Sequence, residues 1–110
     1  MEITVKGKKQ ALHFGVRFVN ELDKVAPMEN NGVTFGMGLQ RSLPALKTCD
    51  TAVLANVLYC ATITNTPRPS LNDIYDFVDG CTDLETIFDD AVKAIKESNA
   101  TKLAAKKMQA

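Results

Sequence analysis

A run of apolar residues near the middle of the chain constrains the fold more than any other feature of the sequence. Apolar side chains between positions 51 and 65 fall on nearly every side of a helix, and they are Ala52, Val53, Leu54, Ala55, Val57, Leu58, Ala61 and Ile63. A helix that is apolar all round is stable only when other elements surround it. Asp50 precedes the run and is a typical N-cap residue. The sequence therefore predicts a helix over residues 51–65 in the middle of a core.

Helical spacing of apolar residues recurs elsewhere in the chain. Four further helices are predicted, over residues 14–25, 39–46, 70–79 and 82–97. The last has the clearest apolar face, formed by Leu84, Ile87, Phe88, Ala91, Val92 and Ile95. Ser70 is a typical N-cap, and Thr82 with Glu85 matches a capping box. Pro44 either kinks the second of these helices or starts it afresh.

The first residues of the chain predict a β-hairpin. Residues 2–6 alternate in polarity, with Ile3 and Val5 on one face. Residues 7–9, Gly-Lys-Lys, read as a turn, and residues 10–13 form a second short strand.

Two segments carry no predicted element. Gly32, Gly36 and Gly38 give the stretch before the second helix the backbone freedom of a loop. Residues 98–110 lose the apolar period and are expected to form a flexible, lysine-rich tail. The predicted fold is therefore mainly α, with about five helices in one domain over residues 1–97 and a small N-terminal β-hairpin.

Length and charge limit the functions open to the chain. With 110 residues, of which 45% are hydrophobic, it is large enough to bury about 65% of its unfolded surface in one core. Thirteen basic and thirteen acidic side chains give no formal net charge, so no overall field attracts nucleic acid or an anionic membrane. The longest mostly apolar segment, residues 52–63, is too short to cross a bilayer, and we expect no export signal. Near-neutral charge also permits copies to associate.

No residue pattern indicates catalysis, a cofactor or a metal site. His13 is the only histidine, and no nucleophile motif accompanies it. Cys49, Cys60 and Cys81 are spaced neither as metal ligands nor as a disulfide framework. Cys60 lies in the most apolar helix and is interpreted as a core residue. The glycine-rich stretch lacks the lysine of a phosphate loop. We therefore expect no catalytic residue, no metal and no cofactor.

Charges are unevenly distributed along the chain. Between positions 69 and 92 the charged residues are all acidic, namely Asp73, Asp76, Asp79, Asp83, Glu85, Asp89 and Asp90. Lysines concentrate at both ends of the chain, at Lys6, Lys8, Lys9, Lys102, Lys106 and Lys107. One interpretation is a solvated pair of helices. The other is self-association into a ring or spiral, in which the lysines of the hairpin meet the acids of the next subunit. The candidate contact residues are Lys6, Lys8, Lys9, Asp83, Glu85, Asp89 and Asp90.

The order of several motifs resembles one known family. Residues 31–39, Asn-Gly-Val-Thr-Phe-Gly-Met-Gly-Leu, precede residues 43–46, Leu-Pro-Ala-Leu, and the central apolar helix. Residues 68–77, Arg-Pro-Ser-Leu-Asn-Asp-Ile-Tyr-Asp-Phe, follow it. In this order and spacing the chain resembles the tail assembly chaperones of long-tailed bacteriophages, the siphophages, that infect Gram-positive hosts. The resemblance covers roughly residues 1–97.

The resemblance implies a function in viral morphogenesis. Many copies of such a chaperone coat the tape measure protein, a long helical and apolar chain, until tail tube protein polymerises around it. A protein of this kind works in the host cell cytoplasm, forms homo-oligomers and is absent from the mature virion. The candidate contacts with the tape measure protein are Val33, Phe35, Met37 and Leu39, although all four are equally suited to the core. Such chaperones are commonly also made in a longer, frameshifted form, for which Lys106 and Lys107 mark a candidate slippery site.

A small helical DNA-binding or regulatory module is the alternative function. Five helices in a chain of this size have room for a helix-turn-helix, whose reading helix carries basic or amide side chains. Residues 70–79 carry acids instead, which favours the chaperone.

Overall fold

The computed structural model describes residues 1–25, 28–30, 33–35 and 38–108 of the chain. In chain order its elements are β1 (Glu2–Val5), β2 (Lys8–Ala11), α1 (Val16–Val25), β3 (Met28–Asn30), β4 (Val33–Phe35), α2 (Gly38–Lys47), α3 (Thr51–Cys60), α4 (Leu71–Gly80), α5 (Leu84–Glu97) and α6 (Lys102–Met108). The fold is mainly α with an N-terminal hairpin, as predicted, and its described part has six helices where about five were expected. None of these helices combines the length and apolar character that a membrane span needs.

α3 lies at the centre of the core, as its all-round apolar surface predicts. Leu54, Val57 and Leu58 are fully buried, and α3 packs against α1, α2 and α4. Burial of each such side chain contributes about 1.5–3 kcal/mol. The predicted N-cap is confirmed, because Oδ1 of Asp50 accepts a hydrogen bond of 3.1 Å from the backbone N–H of Val53.

The end of α3 differs from the prediction, since the helix stops at Cys60 instead of residue 65. Nη2 of Arg68 donates a hydrogen bond of 3.0 Å to the carbonyl oxygen of Tyr59. The hydroxyl of Thr62 donates to the same oxygen at 2.6 Å. The guanidinium of Arg68 also lies 3.8 Å from the centre of the Tyr59 ring, a cation–π contact. The backbone N–H of Thr62 donates to this oxygen as well, at 3.1 Å. Backbone and side-chain donors together thus satisfy a carbonyl at the end of α3.

The N-terminal hairpin turns one residue earlier than the sequence predicts. β1 and β2 are antiparallel, with Val5 opposite Lys8, so Lys6 and Gly7 form a two-residue turn. Their φ angles are 49° and 77°, and positive values at both positions match the twist of a tight hairpin. The predicted turn at residues 7–9 is therefore displaced.

The hairpin is fixed to the helical body by apolar burial and by one amide. Ile3 and Val5 are each 4% exposed. Nδ2 of Asn65 donates hydrogen bonds of 2.9 Å to Oε1 of Gln10 and to the carbonyl oxygen of Ala11. Gln10 is itself buried, so this bond satisfies a polar group that would otherwise be costly to bury.

A second hairpin occupies part of the predicted glycine-rich loop. β3 pairs with β4 in antiparallel register, with Glu29 opposite Thr34. The prediction of a loop is therefore wrong at residues 33–35, whose sequence Val-Thr-Phe consists of residues that favour strands. Gly32 and Gly36 lie outside the described residues.

Gly38 serves close packing at the start of α2. A Cβ atom built on Gly38 would lie 2.7 Å from both the carbonyl carbon and the carbonyl oxygen of Leu22. The backbone N–H of Gly38 donates a 2.8 Å hydrogen bond to Oδ1 of Asp23. This bond satisfies a free donor of the first helical turn. The close approach of α1 and α2 explains this glycine better than the freedom of a loop.

The helix starts confirm one predicted cap and correct another. Ser70 and Asp73 form a capping box. The backbone N–H of Asp73 donates a 3.0 Å hydrogen bond to Oγ of Ser70, and the backbone N–H of Ser70 donates one of 3.2 Å to Oδ2 of Asp73. The N-cap of α5 is Asp83, and its side chain makes no capping bond. The capping box predicted from Thr82 and Glu85 is wrong, because the helix begins one residue later than this pairing requires. α2 runs continuously through Pro44 and does not start afresh there.

The chain end forms a helix where the sequence predicts a flexible tail over residues 98–110. Residues 102–108 form α6, which packs against α5 and α2. The buried hydroxyl of Thr101 donates a 2.5 Å hydrogen bond to the carbonyl oxygen of Ile95. Ala105 is 1% exposed. The buried positions carry small side chains, which add little to an apolar period, and the periodicity therefore missed them.

Candidate partner-binding surfaces

A groove of about 540 Å³ lies between the end of α2 and the outer face of α5. We call it the α2–α5 groove, and its lining residues are Leu46, Lys47, Cys49, Phe88, Asp89, Val92, Lys93, Lys96 and Glu97. Leu46 and Phe88 belong to the core and are 1% and 4% exposed, and Val92 is half-buried. The groove therefore has a preformed apolar floor and a charged rim.

A second groove, of about 690 Å³, lies beside the start of α1. We call it the α1 groove, and its lining residues are His13, Gly15, Val16, Arg17, Phe18, Ile63 and Thr64. Val16 is 76% exposed, which is high for an apolar residue at a groove edge. Both grooves are concave and are lined by apolar and polar side chains, and their volumes lie in the range that ligands and partner side chains occupy.

The residues predicted to contact the tape measure protein fall into three groups in the structure. Val33 and Phe35 belong to strand β4. Met37 lies outside the described residues. Leu39 is 4% exposed and belongs to the core. The sequence left two positions open for Leu39, a binding surface or the core, and within one chain it lies in the core.

Lys6 is paired within its own chain. Its Nζ lies 3.2 Å from Oδ1 of Asp73 and 3.8 Å from Oδ2 of Asp76. The hydrogen bond from the backbone N–H of Ser70 is the main cause that lowers the pKa of Asp73, and the Lys6 ammonium adds to it. Two acids of α4 are therefore paired with the hairpin of the same subunit, in ion pairs that are largely exposed.

The other predicted self-association residues are exposed and separate. Lys8 and Lys9 lie on β2. Asp83, Glu85, Asp89 and Asp90 lie at and after the start of α5, all exposed. Among the described residues, no ion pair joins these lysines to these acids. The lysines and the acids are thus both exposed on one chain, where a second copy can reach them.

Neither Cys60 nor His13 lies in surroundings that favour catalysis. Burial is the main cause that raises the pKa of the Cys60 thiol to about 12, so this sulfur is protonated and unreactive at neutral pH. His13 is exposed, and its backbone N–H donates a 2.9 Å hydrogen bond to the carbonyl oxygen of Ala61. In the part of the chain that the structure describes, no three His, Cys, Asp or Glu side chains are grouped as metal ligands.

The lysines of the α2–α5 groove were not among the predicted site residues. Their signal in the sequence was partial, since Lys93 and Lys96 follow Phe88 and Val92 on one side of α5. The opposite wall comes from α2, and only the tertiary packing of two distant segments brings Lys47 to the same groove.

Comparison with known families gives the class of the protein. The family described as phage tail assembly chaperone protein, TAC, matches residues 2–109, which is nearly the whole chain and includes α6. The chain belongs to this family. Comparisons with curated proteins and with solved structures gave no match.

Proposed function

We propose that this protein is a non-enzymatic chaperone that coats the tape measure protein of a siphophage and keeps it soluble until tail tube protein polymerises around it. The observation that carries the proposal is membership of the tail assembly chaperone family over residues 2–109. The assignment to a phage of a Gram-positive host rests on the motif order of residues 31–77. The proposed site of action is the host cytoplasm, and the protein is expected to be absent from the finished virion.

Physical chemistry favours a binding mechanism without hydrolysis. A long chain with exposed apolar stripes aggregates unless those stripes are covered. A protein that binds the stripes lowers the free concentration of the aggregating species by mass action. The apolar parts of both grooves and the side chains of Val16 and Leu103, 76% and 63% exposed, offer surfaces for such contacts. Release then requires a competitor, and the proposed competitor is the tail tube protein.

The alternative of a DNA-binding module has less support. The helix that would read DNA is α4, and its exposed side includes Asp76 and Asp79. Carboxylates at these positions repel phosphates, whereas a reading helix needs basic or amide side chains. A gel shift at low salt separates the two functions, and we expect no shifted band.

The β3–β4 hairpin remains a candidate contact with the tape measure protein through Val33 and Phe35, together with Met37. Replacement of Phe35 or Met37 by aspartate is expected to reduce solubilisation of the tape measure protein more than it reduces the melting temperature. Equal losses in both measurements would place these side chains in the core and remove them from the binding surface.

Self-association is the second part of the proposal. Copies are expected to form a ring or an open spiral, with Lys8 and Lys9 of one subunit facing the acids at the start of α5 of the next. Lys6 is the weakest of the three lysines for this contact, because it already forms ion pairs with Asp73 and Asp76. Sedimentation should show mass that grows with concentration and falls with added salt. A constant monomer mass would remove the assembly but leave the coating function.

Co-expression tests the function directly. The tape measure protein expressed alone is expected to be insoluble, and co-expression with this chain should give a soluble complex without nucleotide or metal. An unrelated helical protein of similar size is the control. Failure to solubilise the tape measure protein, or equal solubilisation by the control, would contradict the proposal.

A further inference from the structure

The floor of the α2–α5 groove is apolar and fixed in place. Leu46 and Phe88 are almost fully buried and pack in the core, so their positions are set by the fold and not by a ligand. Val92 is half-buried and packs against the same core. Because Leu46 and Phe88 expose almost no area, a partner that enters this groove gains apolar burial at Val92 and along the alkyl chains of the rim lysines. The site needs no reorganisation, which lowers the entropic cost of binding.

The rim of the groove carries an excess of positive charge. Lys47 comes from the α2 wall, and Lys93 and Lys96 come from the α5 wall, against the two acids Asp89 and Glu97. All three lysines are exposed. Across the described parts of the chain, none of the three forms an ion pair. Cations without partners on both walls of an apolar groove favour a partner with acidic side chains beside an apolar stripe.

The walls of the groove indicate the backbone conformation of that partner. α2 and α5 supply the walls, and neither has free backbone donors or acceptors along its middle, so an extended peptide finds no strand edge to pair with. A helix satisfies its own backbone hydrogen bonds. Along α5 the lining runs from Phe88 to Glu97, which corresponds to about 13 Å at the helical rise per residue, or roughly two and a half turns. This length accommodates apolar side chains at helical spacing.

We propose that the α2–α5 groove binds an amphipathic helix whose apolar stripe is flanked by acidic side chains. The inference rests on the proposed function, since the tape measure protein is the source of such a helix. Charge argues against the α6 helix of a second copy as the occupant. Its exposed Leu103 lies among Lys102, Lys106 and Lys107, which repel the lysines of the rim.

The α4 helix of a second copy is the competing occupant. Its Tyr75 is 42% exposed and lies next to Asp76, which has the opposite charge to the rim. Asp73 and Asp76 are however paired with Lys6 of their own chain. This pairing reduces the negative charge that α4 presents, and it favours the external helix.

A pair of synthetic peptides tests the chemistry of the groove. Each has about 18 residues, long enough to form a helix on binding, with leucines at helical spacing. One carries glutamates beside the leucines, and the other carries lysines at the same positions. Fluorescence anisotropy at low salt should show the glutamate peptide binding at least about tenfold more tightly, a difference that added salt reduces.

Charge-reversal variants of the protein test whether the preference for the glutamate peptide arises in the α2–α5 groove. Lys93→Glu with Lys96→Glu should remove the preference for the glutamate peptide or reverse it, and Lys47→Glu on the opposite wall should weaken it. Lys106→Glu with Lys107→Glu is the matched control, because it makes the same charge change on α6 outside the groove. Circular dichroism checks that each variant is folded. A preference that persists in both groove variants, or is lost equally in the control, overturns the proposal.

The same variants separate this inference from the function of the whole protein. If wild-type protein solubilises the tape measure protein and the Lys93 and Lys96 double variant does so equally well, the groove proposal fails and the chaperone function stands. If wild-type protein does not solubilise the tape measure protein but keeps its peptide preference, the function fails and the chemistry of the groove stands. If the double variant loses only self-association, a second copy occupies the groove and the proposal is overturned.

Discussion

Substitution of Gly38 by alanine tests the contact between α1 and α2. The new Cβ would lie 2.7 Å from the carbonyl carbon and oxygen of Leu22 and 2.9 Å from its Cγ. Leu22 is fully buried, so its backbone has no room to move alone and the two helices must separate. Overpacking of this kind costs about 1–3 kcal/mol. The gain in helix propensity offsets only part of it, because Gly38 begins the helix. We expect a net loss of about 1–2 kcal/mol.

Urea denaturation and thermal melting measure this loss. A net destabilisation of this size lowers Tm by about 4–8 °C for a domain of this length. Gly80→Ala is the matched control, since Gly80 is the last residue of α4 and a Cβ there meets nothing within 4 Å. That variant should be unchanged or up to about 1 kcal/mol more stable. If Gly38→Ala is as stable as Gly80→Ala, Gly38 is retained for backbone freedom and the packing argument is wrong.

Three further predictions follow from burial and charge. Phe88→Ala should destabilise the fold by about 3–5 kcal/mol, because the ring is 4% exposed, and an unchanged urea midpoint would show that α5 packs elsewhere. Native protein should be alkylated at the exposed Cys49 while Cys60 stays protected, because burial raises the pKa of its thiol to about 12; equal labelling by mass spectrometry would contradict this. The pKa of Asp73 is lowered in the folded protein, so its ionised carboxylate stabilises the fold. This stabilisation is complete at pH values above the ordinary carboxyl pKa of about 3.9. This contribution is lost as pH falls through the lower folded value. The stability difference between wild type and Asp73→Asn, measured by urea denaturation, should therefore narrow below about pH 4, and a difference independent of pH would refute the assignment.

The parts of the fold that the sequence predicted are those with strong local signals. The central helix followed from an apolar run with Asp50 before it, and α4 from Ser70 at its cap. For α5 the apolar face was sufficient to predict the helix, because apolar residues such as Phe88 and Ile95 recur at helical spacing. Both are buried in the structure. In each case the residues that determine the element lie close together in the sequence.

The parts that the sequence missed depend on tertiary contacts that no periodic pattern describes. α6 packs through Thr101 and Ala105, which are buried. Their side chains are small, so they add little to an apolar pattern at helical spacing. At the early end of α3, Arg68 folds back onto Tyr59. Pairing of Lys6 with the acids of α4 required the hairpin to lie beside that helix. No local pattern contains such information.

The candidate site was predicted only in part, for the same reason. Apolar residues such as Leu39 are equally suited to a surface or a core until their neighbours are known, and Leu39 lies in the core. No local motif links Lys47 to Lys93 and Lys96, because the α2–α5 groove exists only where two helices meet.

The most direct test of coating is the number of copies bound to each tape measure chain. The complex made by co-expression is purified, and its mass is measured by light scattering after size exclusion. The experiment is repeated with tape measure proteins shortened from one end. A protein that coats an extended chain must bind in a number proportional to its length, so a tape measure protein of half length should carry about half as many copies. A copy number that stays constant as the tape measure protein is shortened would contradict the account, because it would indicate one local binding site.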